Sequence, residues 1–143
     1  MFHTHLARDI RTVDAPVEDV FALLVDVDHW TDWSSGVHRA RLLEGPLRLG
    51  AALMFVPKFL PLPIAAKIIG FEPNRLVSWG VRTPLATLVH SFSLEPLDEG
   101  HTLVRHSEFA ENLLAVAMLP FKQKIRDFDE GISRDLQARF ASQ

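Results

Sequence analysis

Apolar and polar residues recur along this chain with two periods, and the change from one to the other divides it into elements. Toward the C-terminus the period is helical. Phe121, Ile125, Phe128, Ile132, Leu136 and Phe140 follow one another at steps of four, three, four, four and four, which gathers six large apolar side chains on one helix face. Lys122, Gln123, Arg126, Glu130, Arg134 and Gln137 take the opposite face. A helix so one-sided needs a broad apolar surface to cover it. Pro120 interrupts the pattern. Either Leu113–Leu119 is a separate turn and the main helix starts near Pro120, or one helix kinks there. Gly131, inside the helix, costs roughly 1 kcal/mol relative to Ala; close approach to a sheet or a ligand would be a reason to keep it.

Upstream, His3 to Val13 reads as a strand that ends at Asp14-Ala15-Pro16, where Asp14 can cap and Pro16 suits a first helical turn. Val17, Val20, Phe21 and Leu24 make a stripe of period 3.6, so 16–26 is predicted to be a helix, with a second short helix over 28–33. From Gly36 onward the period falls to two. Strands are expected over 37–43, 50–56, 64–71, 75–82, 87–96 and 101–109. They are divided by Glu44-Gly45-Pro46, Pro57–Pro63, Glu72-Pro73-Asn74, Thr83-Pro84 and Asp98-Glu99-Gly100. Links this short make neighbouring strands antiparallel. The prediction is an α+β domain over 1–143, with seven strands, two early helices and one late one.

Composition removes several function classes. A net charge of −3 argues against a nucleic-acid footprint. No run of about 18 apolar residues exists, so stable membrane insertion is not expected. The N-terminus lacks the layout of a signal peptide. Zero cysteines exclude disulfides, thiol nucleophiles and thiolate metal sites, and a cytoplasmic location is the default expectation. His3-x-His5 puts two imidazoles on one strand face, but no third ligand follows unless His106 approaches from a neighbouring strand. Neither metal nor cofactor is expected.

Several local phrases carry a family resemblance. Ala15-Pro16-Val17-Glu18-Asp19-Val20-Phe21, Asp26 to Trp33, Gly45-Pro46-Leu47-Arg48-Leu49-Gly50, Glu72 to Trp79, His90 to Pro96 and Thr102 to Phe109 occur in this order. The chain thereby resembles the polyketide cyclase/dehydrase-like branch of the START/SRPBCC (Bet v 1-like) superfamily. That resemblance implies a helix-grip fold, a curved sheet wrapped around the C-terminal helix with an apolar cavity between them. It also implies a hydrophobic small-molecule ligand, such as a lipid or polyketide, and in some members cyclisation or aromatisation.

Alternation along the strands suggests which residues face such a cavity. Phe92 and Leu94 carry His90 to the inner side, and the family pattern places Thr102, Val104, His106 and Glu108 there. Trp79 and Ile68 join them, and His38 does so if Ala40 and Leu42 face inward. Residues 51–56 are apolar on both faces and give no phase; Met54 is the candidate taken from them. Trp33 is read as core or lining, and Met118, Phe121, Ile125 and Phe128 as the helix wall. His90, His106 and Glu108 are the candidates for acid–base chemistry. The apolar Phe59-Leu60-Pro61-Leu62-Pro63 segment reads as a lid or a homodimer contact. Three functions remain open: carriage of a small hydrophobic molecule, a cyclase/aromatase-type reaction, and an interaction protein whose cavity is filled by its own side chains.

Overall fold

The computed structural model describes residues 3–141. Its seven strands are β1 (His3–Val13), β2 (Val37–Leu42), β3 (Ala52–Pro57), β4 (Ile64–Glu72), β5 (Leu76–Arg82), β6 (Ala86–Asp98) and β7 (His101–Asn112). They form one sheet in the order β1-β7-β6-β5-β4-β3-β2, with every neighbouring pair antiparallel. Helix α1 (Val17–Val25) and a 3-10 helix over Val27–Asp32 connect β1 to β2. This is the predicted helix-grip arrangement, with ends shifted by one to three residues.

Local chemistry explains the hairpins. At the β4–β5 turn Asn74 takes φ 61, a left-handed conformation that Asn tolerates better than most residues. At the β6–β7 turn the Asp98 carboxylate accepts from the Gly100 N–H at 2.8 Å and pairs with His101 Nδ1 at 2.7 Å. Gly80 is required by packing: a Cβ there would fall 1.9 Å from the Leu88 carbonyl oxygen on β6. At Gly131 an added Cβ would meet nothing closer than the tip of Arg134 at 3.6 Å, so close approach to the sheet does not account for that glycine.

Pro120 separates two helices. Helix α2 (Leu113–Ala117) is followed by a 3-10 turn over Leu119–Phe121 and then by α3 (Lys122–Arg139). Asp14 makes no cap: Pro16 holds the N-cap position of α1 without a side-chain bond, and Asp14 faces His101 at 3.7 Å. Ile125, Ile132 and Leu136 of α3 are buried against the sheet as their spacing predicts. Two sets of polar bonds pin the C-terminal half of α3. Asp135 accepts from the Ser35 N–H and hydroxyl at 2.8 and 2.7 Å, and Gln137 bridges the Arg11 guanidinium and the Thr12 carbonyl, both at 3.0 Å. The main core lies between α1, the 3-10 helix, α3 and the inner face of the sheet, and includes Val13, Leu24, Trp30, Leu53, Phe92 and Leu136.

Candidate functional site

The polar part of the interior is built from three elements. On β6 and β7, His90 stands opposite Glu108 and Phe92 opposite His106, and strand alternation turns all four inward. Helix α3 crosses them and adds Asp129 and Ser133 from its buried face. His106 Nδ1 lies 2.8 Å from Ser133 Oγ, and its Nε2 touches His90 Nε2. His90 Nδ1 is 3.4 Å from Glu108 Oε1 and 3.7 Å from Asp129 Oδ1, and His106 Nε2 is 3.8 Å from the same Asp129 oxygen. Aromatic rings fix both imidazoles: Trp79 stacks on His90 at 4.5 Å, and Phe92 on His106 at 4.0 Å.

Burial decides the charge states here. His106 has its pKa pushed well below 6.5, first by loss of water and then by the neighbouring His90, so its imidazole is neutral at pH 7. Burial, reinforced by the negative charge of Glu108, drives the Asp129 carboxyl well above its ordinary range. Burial would also raise Glu108, but contact with His90, and then with Asp129, outweighs it and holds Glu108 below its usual value. A protonated Asp129 can hydrogen-bond to Glu108. As an anion it has no donor on either oxygen among the described residues.

Two spaces adjoin this cluster. The larger, about 120 Å³, is lined by Phe55, Pro57, Phe59, Leu60, Ile64, Leu88, Met118, Phe121, Ile125 and Phe128, with His90 and Glu108 as its polar wall. A smaller void of about 20 Å³, roughly the room of one water molecule, lies deeper among Trp30, Trp33, Ser34, Trp79, Phe92 and Ile132. Phe55, His90 and Phe128 border both spaces. The Phe55 and Phe128 rings lie parallel, 6.4 Å apart.

A family described as "polyketide cyclase / dehydrase and lipid transport" matches residues 4–140. The chain belongs to this family. Solved structures of similar shape include a START superfamily protein from Mycobacterium smegmatis, with a TM-score of 0.77 at 16% identity, covering 96% of this chain and 97% of that one. The ginseng major latex-like protein 151 from Panax ginseng gives 0.75 at 17% identity over 99% and 100% of the two chains. The Zhui aromatase/cyclase from Streptomyces sp. R1128 gives 0.68 at 13% identity over 94% of each. At these identities the likeness is one of fold. No curated protein matches the sequence.

Within this polyketide cyclase/dehydrase family member, the predicted site residues fall into four groups. His90, Glu108, Met118, Phe121, Ile125 and Phe128 line the larger space, and Trp33, Trp79, Phe92, His90 and Phe128 the smaller. Ile68 and Val104 are packed into the core, and His106 sits behind His90 without bordering either space. His38 is exposed and does not join the site. Ala40 and Leu42 do pack against the core, but the β2–β3 register shifts between Val37 and Arg39, so Val37 takes the inward place that simple alternation gives to His38. Met54 is likewise out of place: Leu53 and Phe55 are the inward residues of β3, which puts Met54 on the outer face.

On the helix side, Leu114 and Met118 pack against the core, whereas Leu113 and Val116 point to solvent. Phe59 and Leu60 turn into the cavity while Pro61 to Pro63 remain exposed. His3 and His5 adjoin one another on the surface with their Nε2 atoms 3.4 Å apart; His106 faces the opposite side of the sheet and does not approach them.

Asp129 and Ser133 are site residues that periodicity alone does not select. A signal was present: Asp129 lies four residues after Ile125 and three before Ile132, on the apolar stripe itself. A carboxylate in that position is costly unless something specific uses it.

Proposed function

We propose that this protein binds a small, mostly apolar molecule carrying one hydroxyl or carbonyl group, held in the space between the sheet and α3. The observation that supports this reading is the 120 Å³ cavity, whose apolar lining is broken on one wall by His90 and Glu108. An apolar pocket with few, convergent polar groups suits such a ligand. The volume is somewhat below the roughly 150 Å³ of an engineered cavity that accepts benzene, so a single ring is the size of ligand it suits. A larger ligand enters by displacing Phe59, Leu60, Met118 and Phe121, which makes the Phe59–Pro63 segment a lid. The outward Pro61, Leu62 and Pro63 leave a surface for self-association, which sedimentation of wild type against Leu62→Lys tests.

The test uses phenol and 1-naphthol against their hydrocarbon parents, benzene and naphthalene, titrated by tryptophan fluorescence. Wild type should bind the hydroxylated compounds more tightly, Glu108→Gln should abolish that preference, and Phe128→Trp should lose binding of both pairs. Absence of binding by all four compounds to folded wild type would sink the proposal.

A second reading is a cyclase- or aromatase-type proton transfer. It is favoured by Glu108 and His90 standing 3.4 Å apart on the cavity wall, a carboxylate and an imidazole within reach of a bound ketone. The shared fold with the Streptomyces aromatase/cyclase is consistent with it. Proton–deuterium exchange at the α-carbon of a bound aryl ketone, lost in Glu108→Gln, distinguishes catalysis from binding.

A further inference from the structure

Ligand contact accounts for His90 and Glu108 but leaves His106, Asp129 and Ser133 without a task. His90, His106 and Asp129 present their nitrogen and oxygen donors within 4.8 Å of one another, and they come from β6, β7 and α3. We infer that these three side chains bind a single divalent first-row metal ion, Zn²⁺ being the ion that two imidazoles and a carboxylate suit.

Three observations carry this. Asp129 is 1% exposed, and neither of its oxygens has a hydrogen-bond partner among the described residues; such a group stays protonated when alone, and a cation placed beside it is what would let it ionise. Each imidazole has a polar partner at its Nδ1: His106 is hydrogen-bonded with the Ser133 hydroxyl at 2.8 Å, and His90 Nδ1 faces the Glu108 and Asp129 carboxyl groups at 3.4 and 3.7 Å. That leaves both Nε2 atoms to converge on one point, the outer arrangement that orients metal-ligating histidines. The charges also balance: a dication with Asp129 and Glu108 both ionised makes the buried group neutral overall.

The two Nε2 atoms are in contact. An ion bound to both at about 2.0–2.1 Å in tetrahedral geometry would part them to roughly 3.3 Å, a small motion of two stacked rings. The three donors leave one coordination position for water or a ligand oxygen. The inference does not depend on whether the cavity takes an organic ligand, and it is separate from the exposed His3–His5 pair.

The experiment uses the full chain stripped with EDTA and titrated with Co²⁺, followed by visible absorption, and with Zn²⁺, followed by calorimetry. One equivalent of each should bind, the Co²⁺ complex showing the intense visible bands of a low-coordinate site. Binding should persist in the His3→Gln/His5→Gln double variant and be lost in His106→Gln and Asp129→Asn. Ser133→Ala, which leaves all three donors in place, should weaken it by about 10- to 100-fold, and it keeps the test informative if a donor variant fails to fold. No stoichiometric binding by folded wild type would overturn the inference. So would binding that vanishes with His3 and His5 but survives the changes at His106 and Asp129.

Discussion

The two halves of α3 carry one continuous apolar stripe yet meet different surroundings. From Ile132 onward the stripe is sealed: Ile132 and Leu136 join Val13, Val20, Leu24, Val27 and Trp30 in the main core, and Asp135 and Gln137 tie the helix to neighbouring segments. From Phe121 to Phe128 it is thinly covered. Ile125 belongs to a small cluster with Leu6, Ala110 and Ala115, Phe121 is 44% exposed, and the cavity opens alongside. The stripe is the same in both halves; the cover differs. Residues of α1 and the 3-10 helix join the core that contains Ile132 and Leu136, whereas the smaller cluster around Ile125 is bordered by Phe59, Leu88, Leu114 and Met118. An apolar helix face therefore becomes core or cavity wall according to what the rest of the chain lays over it.

The largest effect that should separate the halves is loss of packing at the sealed end. Leu136→Ala should cost about 3 kcal/mol in urea unfolding at unchanged m-value, because a fully enclosed site cannot collapse around the deletion. A loss below about 1 kcal/mol would show that this end is as loosely packed as the other.

Next comes pH. His106 has a folded pKa below its unfolded one, so its contribution to stability is present above about pH 6.5 and is lost as pH falls toward the folded value. In EDTA-treated protein wild type should therefore lose stability below pH 6.5 relative to His106→Gln, by up to about 1.4 kcal/mol per pH unit. Parallel pH profiles for the two proteins would contradict the neutral, buried state of His106.

Asp129 has the opposite sign. Its folded pKa is raised, so its stabilising contribution exists at low pH and is lost as pH rises. Asp129→Asn should thus stabilise the metal-free protein at pH 7 by on the order of 1 kcal/mol. The gain should shrink toward pH 4 in thermal denaturation, and a gain that grows on acidification would reverse the assignment. The smallest effect belongs to the open end, where Phe121→Ala should cost under about 1 kcal/mol while changing ligand uptake rates in stopped-flow fluorescence.

Much of this comparison was legible in the sequence. The wrapped sheet and the inward phase of Val104, His106 and Glu108 come from the family resemblance, whereas the stripe from Phe121 to Phe140, the strands themselves and the inward phase of His90 and Phe92 follow from periodicity. His38 did not, because a single irregularity in β2 inverts the phase of every residue beyond it. Met54 did not, because a strand apolar on both faces carries no period. Asp129 and Ser133 escaped because charged and hydroxyl residues are ordinarily read onto the solvent face of a helix; only the tertiary crossing of α3 over β6 and β7 gives them partners.

Phe128 divides the two interior spaces from a position on a helix, and that has its own consequence. Helical backbone leaves an aromatic side chain essentially two χ1 wells, since the third drives it into the preceding turn. A partition mounted on a loop would yield by degrees to whatever pressed on it. This one has essentially two χ1 settings, so any shift of the boundary between the two spaces is a jump between wells rather than a gradual yielding.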